Sequence, residues 1–226
     1  MTFTIYHLPK YEKFREKYGN LSSDELDKLV KHDYHTFVNM GKGLNGQYGK
    51  DGKPLDDTGG MLYHPNLSGD TIDYLVKKHT DGPYNPSNAL TNHNNLQSGT
   101  IDTMFKMKHP YVQFDKLINH KNITISNLNT AFDNGNTYIA SLAVTHDKAD
   151  NNLLDKGVLD RVKEVALAAL SNPKINQHNL KTALSSKHTD VRLAALKHPK
   201  ASIEHFKIAA NDKNKSIREF ANSKLN

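Results

Sequence analysis

The chain has 226 residues, with 30 Lys and Arg against 24 Asp and Glu, a formal charge of +6 and a mean hydropathy of −0.70. It contains neither Cys nor Trp, which excludes disulfide frameworks, thiolate zinc sites, iron–sulfur clusters and cysteine nucleophiles. No apolar run reaches the ~18 residues of a membrane span, and the first residues lack the order of a signal peptide, so we expect a cytoplasmic protein.

The N-terminal segment, residues 1–60, is predicted to be a helical cap that covers the apolar edge of the next part of the chain. Ser22 and Glu25 have the spacing of a capping box, which predicts a helix start. Apolar residues then occur at helical spacing, namely Leu26, Leu29, Val30, Phe37 and Val38. An earlier aromatic stretch, with Tyr6, Leu8, Tyr11, Phe14 and Tyr18, fits either a strand or a short helix.

Residues 41–60 contain seven Gly and no apolar periodicity, which predicts a long loop or hairpin. A phosphate-binding loop needs G-x-x-x-x-G-K followed by Ser or Thr. Here the interval from Gly43 to Gly49 is one residue too long, and Asp51 follows Lys50. A connecting or recognition loop is therefore favoured over a nucleotide site.

From about residue 63 onward the sequence repeats every 26 or 27 residues. The clearest copy is Val191–Leu196, and related segments begin at Asn85, Val112, Tyr138, Val165 and Ile217. A turn signature occurs at a fixed offset, as His64-Pro65, Asn92-His93, Asn119-His120, Thr145-His146, Asn172-Pro173 and His198-Pro199. The 24 Asn residues of the chain agree with many regularly spaced turns, because Asn favours turns and caps.

Each repeat is interpreted as turn, helix A, turn and helix B, with apolar residues on one face of each helix. Six units are placed at about 63–90, 91–117, 118–143, 144–170, 171–196 and 197–222. Four Ser residues near the helix A starts are candidate caps: Ser68, Ser98, Ser126 and Ser202. The alternative is a bundle of unrelated amphipathic helices.

The segments DVRLAALKHPKAS at 190–202 and SIREFANSK at 216–224 resemble HEAT-like repeats, most closely the short leucine-rich-repeat-variant form. The resemblance covers roughly 160 of the 226 residues. It implies an all-α fold, a right-handed α-solenoid of about six helix pairs over residues 61–226. The Cys-rich iron–sulfur segment of some family members has no counterpart here. Such repeats serve many purposes, so the resemblance indicates architecture better than function.

The 13 His residues raise the question of a metal site. His32 and His35 are spaced i, i+3 on a predicted helix, but no third ligand stands nearby, so we expect neither a metal nor a cofactor. His93, His120 and His146 recur in one turn position, and His109 and His188 fall in the other turn. This regularity is typical of rings that satisfy the turn backbone.

No nucleophile or acid–base motif is present, and Asp56, Asp57 and Asp150 fall in predicted loops. HEAT-like folds include alkylpurine-type DNA glycosylases, which use aromatic residues, Trp among them, beside an Asp. Because this chain has no Trp and no Asp that aligns with the catalytic one, the glycosylase is kept only as an alternative, and without a catalytic motif we expect no enzymatic activity.

The positive charge is concentrated in residues 171–226, which hold eleven basic and four acidic residues. Six of these cations share register in pairs: Lys174 with Lys200, Lys187 with Lys213, and Arg192 with Arg218. Rows of this kind match a phosphate backbone or an acidic protein surface. They could equally make the last unit polar or bond inside the repeats.

The sequence therefore predicts a non-enzymatic binding module that presents a rigid surface to a protein partner. The alternative is a sequence-tolerant nucleic-acid binder that uses the C-terminal cations. The composition, rich in Asn and Lys, is compatible with an AT-rich genome such as that of some phages, in which case the protein could be virion-associated.

Overall fold

The computed structural model describes residues 12–34, 37, 61–78, 87–91, 93–107 and 112–226. Every regular element in these ranges is a helix and none is a strand, which confirms the all-α class. The chain divides into two compact units, Met1–Ile123 and Thr124–Asn226, called unit 1 and unit 2 below. The predicted border between residues 60 and 61 adjoins residues outside the described ranges and stays a prediction.

Unit 1 contains the predicted N-terminal helix and the helices after it in the chain. Its elements are α1 Glu12–Tyr18, α2 Ser23–His32, the 3-10 helix η1 Met61–Tyr63, α3 Gly69–Lys78, α4 Ser87–Leu90, α5 Ser98–Lys106 and α6 Phe114–Ile118. The capping box is confirmed, because the Ser22 hydroxyl accepts the Glu25 N–H at 3.3 Å and the Glu25 carboxylate accepts the Ser22 N–H at 2.8 Å. α2 packs on α3, and α3 packs on α5.

The core of unit 1 is formed mainly by apolar side chains that are almost fully buried. It includes Leu26, Val30, Phe37, Leu67, Ile72, Leu75, Leu96, Ile101, Met104, Phe105 and Leu117. Leu29 is half-buried. Val38, the aromatic positions before residue 12 and the Gly-rich segment 41–60 lie outside the described residues.

Unit 2 consists of four helix pairs. They are α7 Ile125–Phe132 with α8 Thr137–Thr145, α9 Asn151–Val158 with α10 Lys163–Leu170, α11 Gln177–Ala183 with α12 Thr189–Lys197, and α13 Ile203–Ala209 with α14 Lys215–Leu225. The two helices of each pair pack together. The second helix of each pair also packs on the second helix of the next pair, and α9 packs on α11.

The register of the predicted repeat is off by one residue in α8. The sequence comparison placed Tyr138 at the core position of Val165, but Tyr138 is 60% exposed and Ile139 is 2% exposed. The reason is the cap, because the Asn136 side chain accepts the N–H groups of Tyr138 and Ile139 and so fixes where α8 begins. Ile139 therefore corresponds to Val165, at an interval of 26 residues.

Two of the four predicted Ser caps are confirmed. The Ser68 hydroxyl accepts the Thr71 N–H at 3.0 Å, and Ser202 is the N-cap of α13. The predictions for Ser98 and Ser126 are wrong, because α5 and α7 begin after Gln97 and Thr124, which leaves both Ser residues inside the first helical turn.

Candidate interaction surface

The turns that precede the first helix of each pair share one geometry, and we call them the outer turns. They begin at His64, His93, His120, His146, Asn172 and His198. In each, the side chain of the first residue accepts the N–H of the residue two positions later, at 2.8 to 3.2 Å. The carbonyl of the first residue accepts the N–H three positions later. One backbone turn therefore recurs with side chains of two chemical types.

In unit 1, histidine rings join consecutive outer turns. The Nε2 atoms of His93 and His120 lie 3.0 Å from the carbonyl oxygens of His64 and His93, respectively. Because Nδ1 of each ring accepts a backbone N–H, the proton of the neutral ring is on Nε2, which donates to that carbonyl. The structural role expected for His93 and His120 agrees with this geometry.

The first of these bonds between consecutive turns is made to the N-terminal segment. The carbonyl oxygen of Tyr18 lies 3.0 Å from Nε2 of His64, and it also accepts the Leu21 N–H as the outer turns do. The Asn66 amide donates to the Leu21 carbonyl at 2.9 Å. The turn at Tyr18–Leu21 thus shares the backbone bond of the outer turns and is joined to the next one, and the sequence comparison missed it because Tyr stands in place of His or Asn.

In unit 2, the amide of Asn172 supplies the corresponding bond. An ammonium group, that of Lys200, stands where unit 1 has the Asn95 and Asn122 amides, which donate to the carbonyls of Leu67 and Leu96 in the preceding turns. Nδ2 of Asn172 donates to the carbonyls of Val144 and His146 at 2.8 and 3.2 Å. Nζ of Lys200 donates to the carbonyls of Pro173 and Ile175 at 2.9 and 2.6 Å. The predicted binding residue Lys200 is therefore occupied by turn carbonyls.

A second row of side-chain bonds joins the helices that come after the outer turns. The Thr71 and Thr100 hydroxyls donate to the carboxylates of Asp27 and Asp73, each at 2.9 Å. In unit 2, Asn179 donates to Asp155 at 2.9 Å. Each donor stands three residues after an N-cap position, so the same helical position forms the bond repeatedly.

Arg192 is bonded inside the protein rather than presented to a ligand. Its guanidinium donates to both carboxylate oxygens of Asp212 at 2.7 and 3.0 Å and to the Ser186 carbonyl at 2.9 Å, and the residue is 2% exposed. Burial by itself would raise the pKa of Asp212, but the hydrogen bond from Arg192 and the N–H of Asn214 outweigh burial, and the pKa is lowered.

Arg218 occupies the position of Arg192 in the next pair and bonds in part the same way. Its Nη1 donates to the carbonyls of Asp212 and Lys213 at 2.7 and 3.0 Å. Arg192 makes the matching bond to its own turn, at Ser186. The two Arg residues of the predicted set therefore form hydrogen bonds within the turn between paired helices, which we call the inner turn.

The remaining predicted cations, Lys174, Lys187 and Lys213, are exposed, and their ammonium groups form no hydrogen bond or ion pair with the described residues. Lys187 and Lys213 occupy the same position of consecutive inner turns. Arg161 stands at this position one turn earlier, 26 residues before Lys187, and is also exposed. Sequence reasoning missed Arg161 because it precedes residues 171–226, the part of the chain with the excess of positive charge.

The aromatic residues near the C-terminus pack on one another. The rings of Phe206 and Phe220 meet edge to face with centroids 6.4 Å apart. The ammonium groups of Lys197 and Lys224 lie 5.9 and 5.7 Å from the Phe220 centroid. Both rings are half-buried and contact each other, although the sequence placed them at core positions.

The described residues contain no group of three or more His, Asp or Glu that could hold a metal ion. His35, half of the candidate i, i+3 pair, lies outside the described ranges.

An open groove of unit 1 is lined by Lys31, Asp70, Asp73, Tyr74, Lys77 and Lys78. Lys31 and Lys77 are paired with Asp27 and Asp73, each at 2.7 Å, as i, i+4 ion pairs on their own helices. Within the described part of the chain, no helix has the length and apolarity that a membrane crossing requires.

No protein-family model, curated protein or solved structure matches the chain. The resemblance to HEAT-like and leucine-rich-repeat-variant proteins therefore stays a prediction. Function has to be inferred from the turns, the helix contacts and the exposed charges of each unit.

Proposed function

We propose that the chain is a non-enzymatic binding module whose helix pairs form a rigid surface for an acidic protein partner. The observation that carries this proposal is the recurrence of one outer-turn geometry, with side chains that bond each turn to the preceding turn of the same unit. Repeats of this kind typically contribute an extended surface rather than an enclosed catalytic pocket.

The right-handed α-solenoid implied by the family resemblance is part of this proposal. It is supported in unit 2 by the contacts between the second helices of consecutive pairs. It is also supported by the 26-residue interval between the N-cap positions Asn136, Val162, His188 and Asn214. A surface that is stiffened by bonds between turns loses little conformational entropy when it binds.

The part of the surface that we assign to the partner is the inner-turn row Arg161, Lys187 and Lys213, with Lys174 as a further exposed cation. These side chains keep their charge available, whereas Arg192 and Lys200 are bonded inside unit 2. Exposed rows of one sign attract surfaces of the opposite sign and accelerate association.

A protein partner is favoured over a phosphate backbone because carboxylates interrupt the row. Glu164 and Asp190 stand three residues after Arg161 and Lys187, and both are exposed. Lys163 also pairs with Asp190 at 3.3 Å. A protein segment can alternate its charges to match such a pattern, whereas a nucleic-acid backbone repeats one charge.

The test compares partner capture by the wild-type chain with capture by the triple variant Arg161→Ala, Lys187→Ala, Lys213→Ala, in native extract treated with nuclease. The matched control is Lys78→Ala, Lys106→Ala, Lys116→Ala, which removes three exposed cations of unit 1. We expect one protein to be retained by the wild type and the control and lost by the triple variant. Equal retention by all three proteins, or none by any, would contradict the proposal.

Nucleic-acid binding is the second candidate, and the net charge of +7 in residues 171–226 favours it. Here the row would contact phosphates without reading bases. Duplex DNA binding would then weaken steeply between about 50 mM and about 200 mM salt, with a slope that falls in the triple variant. Fluorescence anisotropy on a labelled duplex measures this, and a salt-independent or absent signal rejects the candidate.

A further inference from the structure

His93 and His120 are held from both sides in the outer turns of unit 1. The Nδ1 atom of each ring accepts an N–H, from Asn95 and Asn122 respectively, each at 3.2 Å. Each Nε2 meets the carbonyl of the preceding turn at 3.0 Å. The rings are 6% and 8% exposed, so water does not replace these partners. Only the neutral ring protonated on Nε2 fits this arrangement.

A second proton would enter at Nδ1 and turn the acceptor into a donor. Nδ1–H would then face the N–H of Asn95 or Asn122, with two donors where one bond had been. The N–H would lose its partner, and an imidazolium would stand in a nearly dry site. The turn has to open for either group to reach water.

The surroundings of the two rings do not favour the charged form. Burial is the main cause that lowers the pKa of both His93 and His120, against a hydrogen bond to the preceding carbonyl that raises it. Lys121, in the outer turn of His120, lowers the pKa of both rings further, and the rings of His120 and His64 lower that of His93. No carboxylate of the described residues contributes to the pKa of either ring.

We propose that His93 and His120 form an acid-sensitive latch, which holds the outer turns of unit 1 together at neutral pH and releases them when the rings are protonated. Its two halves act together, because His120 bonds to the carbonyl of His93 and the opening of one turn removes the acceptor of the next. The latch goes beyond the proposed binding function and does not depend on it.

The chain contains its own counterpart without a titratable ring. Asn172 occupies the same outer-turn position, accepts the Lys174 N–H at 2.8 Å through Oδ1 and donates to preceding carbonyls through Nδ2. His205 also accepts an N–H at Nδ1, from Ser202 at 3.0 Å, and contacts the Gln177 carbonyl. Unit 2 thus also contains a histidine ring that is held from both sides, so Asn172 is the counterpart of the His93 and His120 turns and not of unit 1 as a whole.

The experiment is residue-resolved amide exchange at pH 7.5 and pH 5.5 on the full chain, with rates corrected for the intrinsic effect of pH. The reporters are the N–H groups of Asn95 and Asn122, and the control is the N–H of Lys174. We expect protection of both reporters to fall by about tenfold or more at the lower pH, while that of Lys174 changes by less than about threefold. Unchanged protection at Asn95 and Asn122 would overturn the latch.

Two substitutions move the response in opposite directions. His93→Asn with His120→Asn installs the Asn172 arrangement and should remove the extra exchange at pH 5.5. Asn172→His should create the same loss of protection at Lys174.

If the double variant does not fold, the latch still predicts that both rings of the wild-type chain carry the proton on Nε2 at pH 7.5. Ring nitrogen NMR that places it on Nδ1 would contradict the proposal.

Discussion

The outer turns of the two units have the same backbone conformation but form their hydrogen bonds with different side chains. At the first turn position, the rings of His93 and His120 join consecutive turns in unit 1 and the amide of Asn172 does so in unit 2. At the third position, unit 1 uses the amides of Asn95 and Asn122, and unit 2 uses the ammonium of Lys200. The first residue accepts the same N–H in each case. A repeat therefore conserves the hydrogen-bond pattern of a turn, and the chemical type of donor is free to differ between copies. That freedom determines how each turn responds to protons.

The inner turns of unit 2 show a difference of the same kind within one unit. Arg192 and Arg218 each donate through Nη1 to the carbonyls of their own turn. Arg192 is also paired with Asp212 of the following inner turn, while Arg218 forms no ion pair with the described residues. Unit 2 is thus joined by a buried charge pair, which unit 1 does not contain among its described residues.

The largest expected effect is that of Arg192→Ala. It leaves the Asp212 carboxylate, whose side chain is 8% exposed, without its partner. Breaking a buried pair on one side typically costs about 3–5 kcal/mol. We expect a reduction of this size in the free energy of unfolding, measured by urea titration with circular dichroism.

Arg218→Ala is the matched control for that experiment. It removes the same side chain and the same type of carbonyl bonds but no ion pair, so we expect a loss below about 1.5 kcal/mol. Equal losses for the two variants would show that the charge pair does not distinguish the two turns.

The next effect in size is that of Asn172→Ala, which tests the non-histidine outer turn. The substitution leaves the Lys174 N–H and the Val144 carbonyl without their buried partner. Unsatisfied buried groups cost about 1–3 kcal/mol, and we expect a loss in that range by urea titration. Lys174→Ala keeps the backbone N–H and removes only an exposed side chain, so its effect should stay within about 0.5 kcal/mol.

The outer turns of His93 and His120 and the inner turn of Asp212 should also lose protection in separate acid ranges. The pKa values of His93 and His120 are lowered by burial from 6.5, so the unfolded chain binds more protons and the stabilisation, complete above 6.5, declines as pH falls below it. The pKa of Asp212 is lowered from 3.8 despite its burial, because Arg192 and Asn214 hold the ionised form. Its contribution, complete above 3.8, is lost only as pH falls further.

Amide exchange across an acid titration checks this order. The N–H groups of Asn95 and Asn122 should lose protection first, and the N–H of Asn214, which bonds to Asp212 at 2.7 Å, should lose it last. Simultaneous loss would mean that the chain opens as one body and that the local chemistry of the turns has no separate effect.

Much of the helical pattern was predictable because it depends on local signals. The capping box of Ser22 and Glu25 and the apolar spacing of Leu26 and Val30 determine a helix within a few residues of chain. The turn position of His93 and His120 was equally visible, because the same residue type recurred at a constant interval.

Register and partners were harder to predict because they depend on contacts distant in sequence or on cap geometry. Tyr138 and Ile139 are both acceptable apolar residues, and only the bonds of Asn136 decide which one is buried. Likewise, no sequence pattern indicates that Arg192 meets Asp212 twenty residues later, whereas Lys213 remains exposed. Charge alone could not separate structural cations from available ones.

The smallest expected effects come from substituting two helical Gly residues by Ala. The two substitutions compare how densely the helices of the two units pack around a Gly. A Cβ on Gly157 would lie 2.8 Å from the Ala169 Cβ and 2.9 Å from a Val144 methyl, both on helices that pack against α9. Neither atom belongs to the end of a flexible side chain, so the helices have to separate. Overpacking costs about 1–3 kcal/mol and the better helix propensity of Ala returns about 1 kcal/mol, so Gly157→Ala should destabilise by up to about 2 kcal/mol.

Gly99 in α5 of unit 1 provides the opposite case. A Cβ there meets nothing within 4 Å, so Gly99→Ala should stabilise the chain by about 0.4–1 kcal/mol through the lower entropy of the unfolded chain. Thermal unfolding followed by circular dichroism distinguishes the two signs. If Gly157→Ala stabilised the chain as well, helices α8, α9 and α10 would be able to move apart at little cost. The rigid surface proposed for unit 2 would then lack its physical basis, because a surface that yields to one methyl group cannot hold Arg161, Lys187 and Lys213 in a fixed row.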